Sequence, residues 1–279
     1  MSTATLTRSQ LASAIAAKLK EQENQLTTQW NTKHADFDTR YFICDGLLPE
    51  DWIKDYTTHL PSRETLLLKS SIRERKRVGV DYKNYDPIIG NVLMAFQEPE
   101  VLNEITRITG LEGMEADPTL YASGISIMEQ NDFLNPHLDN SHDGEQQKYR
   151  VINLLYYVSP GWKIENGGNF ELWDINVSKP TEIHSKFNRL VVMETNNISY
   201  HSVNKVKADA RRVCVSNYYF ATKASGAHKD FRHITTFTGR PEEPVKRAVL
   251  KVVDGFVLNT VAKAFPSLLK TSKHRIKDK

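Results

Sequence analysis

The chain has 279 residues, 39% of them hydrophobic and 25% charged, with a net charge of +3. These proportions fit a soluble globular protein built around one large domain. No apolar run approaches the ~20 residues of a membrane span, and two cysteines, Cys44 and Cys214, are too few for a disulfide framework or a thiolate metal cluster.

The first twenty residues lack a continuous apolar stretch and read as an amphipathic helix, so the cytoplasm is the expected location. Leu11, Ile15, Leu19, Leu26 and Trp30 recur at helical spacing, which predicts a helix over 9–31 capped by Ser9. Pro49 can open a short helix carrying Trp52 and Ile53. Residues 62–84 are polar and hold the basic run from Arg73 to Arg77; a surface loop or irregular pairing is expected there. Helices are expected near 86–97 and 99–109, separated at Pro99 and ended by Gly110.

The texture changes near residue 119. Short β-rich segments follow at 121–128, 149–158, 168–174, 189–194 and 211–220, with turn signals at Pro160-Gly161, Asn166-Gly167-Gly168 and Asn196-Asn197. Strands at this spacing predict a sandwich or barrel. From Lys223 onward thirteen Lys and Arg stand against five Asp and Glu. Such a basic tail can attract nucleic acid, anionic lipid or an acidic substrate, but a solvated helix face explains it as well. A last helix near 242–264 places Val245, Val249, Val252 and Phe256 on one face, expected to cover the β core.

His-x-Asp occurs three times, at His34, His137 and His228. Two residues so spaced on an extended segment point the same way and can reach one ion. Only His137 and Asp139 are followed, inside the β region, by a further strand-like histidine, His201. Two imidazoles and one carboxylate on one side of a metal form the facial triad of non-haem Fe(II) oxygenases. An oxygenase of that kind using 2-oxoglutarate must also hold a distal carboxylate, and a buried Arg pairs with it bidentately. Arg211 and Arg212 both qualify by type, and strand alternation lets one of them face inward. Arg212 would share its face with Cys214, Ser216 and Tyr218; Arg211 would share its face with Val213, Val215, Asn217 and Tyr219. The extra hydroxyl favours Arg212.

Asp132-Phe-Leu134 with His137-x-Asp139, "INLLYYVSPGW", "NGGNFELW", "RLVVMETN", His201-Ser-Val203 and "RRVCVSNYYF" occur in this order over residues 120–221. In that order and spacing the chain resembles the Fe(II)- and 2-oxoglutarate-dependent dioxygenases, in their prolyl-4-hydroxylase-like branch. The resemblance implies a mainly β core with flanking α structure. That core is a double-stranded β-helix (a jelly roll, cupin-like) over 119–221. An N-terminal helical decoration, 1–118, would pack on it, and 222–279 would form a basic C-terminal extension with one helix. It implies His137, Asp139 and His201 as metal ligands and catalytic residues, and Arg212, Tyr157, Ser216 and Asn153 as cosubstrate contacts. Arg211 fits the loop length after His201 better and the strand count worse. The implied cofactors are Fe(II), 2-oxoglutarate and O2, with ascorbate as an open addition. The implied reaction hydroxylates an unactivated C–H bond and releases succinate and CO2. Retention of Asp139 favours oxygen transfer over halogenation, in which a small residue replaces the carboxylate. The substrate is expected to be a small amino-acid-like molecule or secondary metabolite. A prolyl residue in a protein and a sugar or lipid precursor stay open, as does a noncatalytic metal-binding jelly roll. Nucleic acid is not expected as a partner.

Overall fold

A computed structural model describes residues 6–117, 119–225 and 232–254. The predicted helix over 9–31 is two helices, α1 (Arg8–Glu21) and α2 (Glu23–Asn31), meeting at Gln22. Thr7, not Ser9, caps α1, in a reciprocal capping box with Gln10. Strand β1 (Tyr41–Asp45), the short helix α3 (Glu50–Ile53), and strands β2 (Leu67–Ser70) and β3 (Glu74–Gly79) follow. Helices α4 (Pro87–Ala95) and α5 (Pro99–Thr109) lie where the sequence places them, and Gly110 ends α5 at φ +67°.

The β core then runs through β4 (Met114–Ala116), β5 (Gly124–Met128), β6 (Phe133–Leu138), β7 (Tyr149–Tyr157), β8 (Phe170–Trp173), β9 (Pro180–Ile183), β10 (Arg189–Glu194), β11 (His201–Val203) and β12 (Arg212–Ala221). A short β13 (Thr236–Phe237) and helix α6 (Pro244–Val252) close the described chain. Every pairing is antiparallel, and the order β1-β10-β7-β12-β5-β3-β6-β11-β8-β9 forms one curled sheet. This is the jelly-roll core.

Strand alternation sorts β7. Ile152, Leu154, Tyr156 and Val158 join the cluster holding Leu11, Ile15, Leu26, Val92, Phe96 and Ile105 from the helices. Tyr157 and Leu155 belong to the smaller cluster with Phe170, Leu172 and Cys214 inside the barrel. The helices therefore cover the outer face of the sheet and leave its inner face for the site.

Three sequence readings need correction. Residues 62–84 hold the hairpin β2–β3, and β3 pairs with both β5 and β6. The 1–118 stretch thus adds strands β1 to β4 to the sheet as well as helices. In α6 the valine face is exposed: Val245, Val249 and Val252 face outward, and Leu250 is the buried residue. It packs with Leu134, Trp162, Val203 and Phe237. Phe256 lies outside the described residues.

The end of α6 is also tied to the hairpin. Buried Asp254 accepts from Arg73 Nε at 2.8 Å and Nη2 at 2.5 Å, and from the Phe237 backbone N–H at 3.2 Å.

Strands β3 and β5 touch where side chains would collide. Gly124 has φ +145°, and a Cβ there would sit 2.4 Å from the Gly79 carbonyl oxygen. Gly124→Ala is expected to destabilise the fold by on the order of 1–3 kcal/mol. Thermal unfolding of the variant checks this, and an unchanged midpoint would refute it.

Candidate active site

Register brings the histidines together. His137 on β6 lies directly opposite His201 on β11, with ring centroids 4.2 Å apart. Asp139, one residue past the end of β6, closes the group. Its Oδ1 lies 3.6 Å from His137 Nε2 and its Oδ2 lies 3.6 Å from His201 Nε2. Ligand atoms of the three residues all fall within 4.8 Å of one another. Each histidine has its Nδ1 2.9 Å from a backbone carbonyl, of Asn135 for His137 and of Ser199 for His201. That contact assigns the proton to Nδ1 and turns the Nε2 lone pair inward, as metal-binding imidazoles require.

Asp139 is held from behind. Its Oδ2 accepts from Asn153 Nδ2 at 2.6 Å and lies 3.3 Å from Arg150 Nη1. Burial would raise this carboxyl, but Arg150, His201 and His137 outweigh it and hold it well below the usual carboxylate range. Burial, followed by the neighbouring His137, pushes His201 down to about 4. It is therefore neutral near pH 7, the form that coordinates a metal. Two imidazoles and a carboxylate, buried but reachable from a cavity, suit a borderline divalent ion with open positions.

Two connected cavities meet at this group. The inner one, about 100 Å³, is lined by His137, Asp139 and His201 together with Arg212, Cys214 and Ser216. Arg212, 3% exposed, has no carboxylate beside it among the described residues. Its Nη2 reaches Ser185 Oγ at 3.4 Å, its Nε has no partner, and the Tyr157 ring lies 4.7 Å from its Cζ. A buried guanidinium so poorly matched costs free energy unless an anion completes it. The inner cavity thus brings one buried guanidinium together with His137, Asp139 and His201. Arg211 points outward, 56% exposed and 3.6 Å from Glu129.

The other cosubstrate candidates are placed differently. Ser216 lines both cavities. Tyr157 is fully buried beside Arg212, with Ser185 next to its hydroxyl. Burial raises that hydroxyl's pKa, against the pull of Arg212. Asn153 touches the inner cavity, but its amide is committed to Asp139 and to Thr195 Oγ1 at 3.1 Å.

The outer cavity, about 630 Å³, is walled by the hairpin through Lys69, Glu74 and Lys76, and on the other side by Ile234, Thr235 and Phe237. Phe237 stacks on His137 at 4.9 Å. Asn140 lines this cavity, whereas buried Ser141 and His142 bond to each other at 2.7 Å and do not line it. The sequence reading missed Lys69, Glu74, Lys76 and Arg150. Of the other His-x-Asp pairs, His34 stacks on Phe37 and Tyr41 far from the triad in sequence, and His228 lies outside the described residues.

Residues 123–220 match the family model described as the 2OG-Fe(II) oxygenase superfamily. The match spans 98 of the 279 residues and includes His137, Asp139 and His201. As an oxygenase of this kind it is a 2-oxoglutarate-dependent dioxygenase, and the superfamily uses Fe(II), 2-oxoglutarate and O2. Among solved structures, a prolyl hydroxylase from Trichoplax adhaerens, in complex with a hypoxia inducible factor oxygen degradation domain peptide, aligns at TM-score 0.55 and 18% identity. The alignment covers 74% of this chain and 91% of that one. A Pseudomonas putida prolyl-4-hydroxylase aligns at 0.50 and 16%, covering 76% and 100%. The non-heme alpha ketoglutarate dependent epimerase SnoN from nogalamycin biosynthesis aligns at 0.51 and 9%, covering 77% and 95%. At these identities the likeness extends to the oxygenase's fold. Comparison with curated proteins finds no match. Among the described residues, no helix is long and apolar enough to cross a membrane.

Proposed function

We propose that His137, Asp139 and His201 hold Fe(II), and that Arg212 holds the distal carboxylate of 2-oxoglutarate in the inner cavity. The observation carrying this reading is the buried Arg212 guanidinium, without a carboxylate partner among the described residues, in the same cavity as the three candidate ligands. Ser216 adds a hydroxyl along that cavity, and the Tyr157 ring supports the guanidinium from behind. Asn153 and Arg150 grip Asp139 Oδ2, so Oδ1 is the oxygen left for the ion. Iron and the keto acid, when bound, supply oxidative decarboxylation to succinate and CO2 and the transfer of an oxygen atom to a C–H bond. The chain's own part is to orient the ligands and to keep Arg212 dry and charged. It also presents substrate from the outer cavity beside His137 and Asp139.

The substrate is proposed to be a small molecule, amino-acid-like or a secondary metabolite. The outer cavity falls in the 300–1,000 Å³ range of small-ligand sites. It is walled on two sides, by the hairpin and by residues 234–237, which leaves less room for an extended protein chain. Two free, buried cysteines fit a reducing compartment, the cytoplasm.

The test is a screen for substrate-stimulated succinate release with Fe(II) and 2-oxoglutarate across amino acids, metabolites, prolyl peptides and sugar precursors. A product heavier by one oxygen atom is expected from a small molecule. Retained metal binding with no succinate, coupled or uncoupled, would refute the catalytic reading. Stimulation by prolyl peptides alone would refute the small-molecule one.

A further inference from the structure

The hairpin wall carries an uneven charge. Lys69 and Lys76 are cross-strand partners on β2 and β3. Like charges placed directly opposite destabilise a sheet, and one carboxylate, Glu74, stands between them. Lys76 Nζ lies 3.0 Å from Glu74 Oε2, and Lys69 Nζ lies 3.9 Å from Oε1. Neither lysine has another acceptor among the described residues, and both are mostly covered, with side-chain exposures of 27% for Lys69 and 16% for Lys76. Burial pulls the Lys69 ammonium below its usual range despite Glu74.

The floor of the same cavity adds a third cation. Arg150 is 1% exposed in its side chain, with its Cζ over the Tyr218 ring, 4.0 Å from the centroid. Its Nη1 faces Asp139, but Nε and Nη2 have no partner. Lys69, Lys76 and Arg150 thus face one cavity with Glu74 and Asp139 as their only carboxylates among the lining residues. An ion at Asp139 would take up part of that remaining negative charge, leaving the wall still more cationic.

We propose that the Lys69–Lys76 wall, with Arg150 beneath it, binds an anionic oxygen group of the substrate, a carboxylate or a phosphate. Its place across the outer cavity from His137 would anchor one end of the molecule and set which carbon lies beside the triad. This inference rests on the reading of His137, Asp139 and His201 as the metal site.

The test uses the full chain loaded with Mn(II) and saturating 2-oxoglutarate without O2. Inorganic phosphate, acetate and uncharged acetamide are titrated, and paramagnetic broadening of their nuclear resonances is read against Mn(II) in buffer. Phosphate or acetate should broaden saturably and acetamide should not; whichever anion binds tighter identifies the class. Lys69→Met with Lys76→Met should weaken anion binding about tenfold, the value of one charge-assisted hydrogen bond. Glu74→Gln should strengthen it, a change opposite in sign that a misfolded variant would not produce. Equal broadening by acetamide, or no response to either change, overturns the inference while Mn(II) binding still supports the metal site. Absence of Mn(II) binding by electron spin resonance overturns both.

Discussion

His201→Ala is expected to lower Fe(II) affinity by at least about a hundredfold and to abolish succinate formation. His201 sits opposite His137 across the β6–β11 pair and contributes an inward Nε2 whose proton count is set by the Ser199 carbonyl. Alanine removes that donor without altering the pairing, because β-ladder bonds are made by the backbone. Asn153→Ala tests the supporting contact: Asp139 would lose the 2.6 Å bond on Oδ2, and affinity should fall by about 10- to 100-fold. Metal content after dialysis and anaerobic Co(II) titration measure both. A His201→Ala protein that keeps wild-type metal affinity and turnover would show that the triad is not the iron site.

The second large effect separates two adjacent arginines. Arg212→Met should raise the KM for 2-oxoglutarate by about a hundredfold or more, since a buried bidentate ion pair is lost. Arg211→Met should change it less than about threefold, because an exposed pair such as Arg211–Glu129 contributes little. Arg212→Lys keeps the charge but not the two-pronged geometry and should fall between them. Metal binding is the control, as Arg212 is not among the three clustered candidate ligands. Equal effects at the two positions, or the reverse order, would refute the assignment.

The strands that carry the core were legible because they are short, mostly apolar runs rich in β-branched and aromatic residues and bounded by turn signals, as in β7, β10 and β12. The phase of β12 was readable from Arg212, Cys214 and Ser216, and those three line the inner cavity together. Strand β3 was not legible. Its sequence, ERKRVG, lacks the apolar alternation that signals a half-buried strand, because its inner face borders a polar cavity and not a core. Helix α6 misled in the opposite way, since its valines suggested a buried face that the fold leaves exposed.

Arg150 was hidden by a backbone irregularity. Counting back by twos from Tyr157 puts Asn153 inside and Arg150 on the helix side. Yet the β7–β12 register steps from Ile152↔Tyr219 to Arg150↔Phe220, so Val151 is an extra residue. This bulge reverses the phase and brings Arg150 into the cavity beside Asp139. The signal was an arginine at the head of an otherwise apolar strand, where a charge needs a reason to be.

The Arg73–Asp254 pair gives the C-terminal arm a meaning that its distance from the family's shared segment conceals. A chain cut after residue 221 would retain His137, Asp139, His201 and Arg212. It would lose Phe237 from above His137, and Arg73 in the β2–β3 turn would lose the carboxylate that fixes it. Both walls of the outer cavity would go slack at once. With substrate in the outer cavity, as proposed, the smallest piece able to recognise it is larger than the smallest piece carrying the candidate metal ligands.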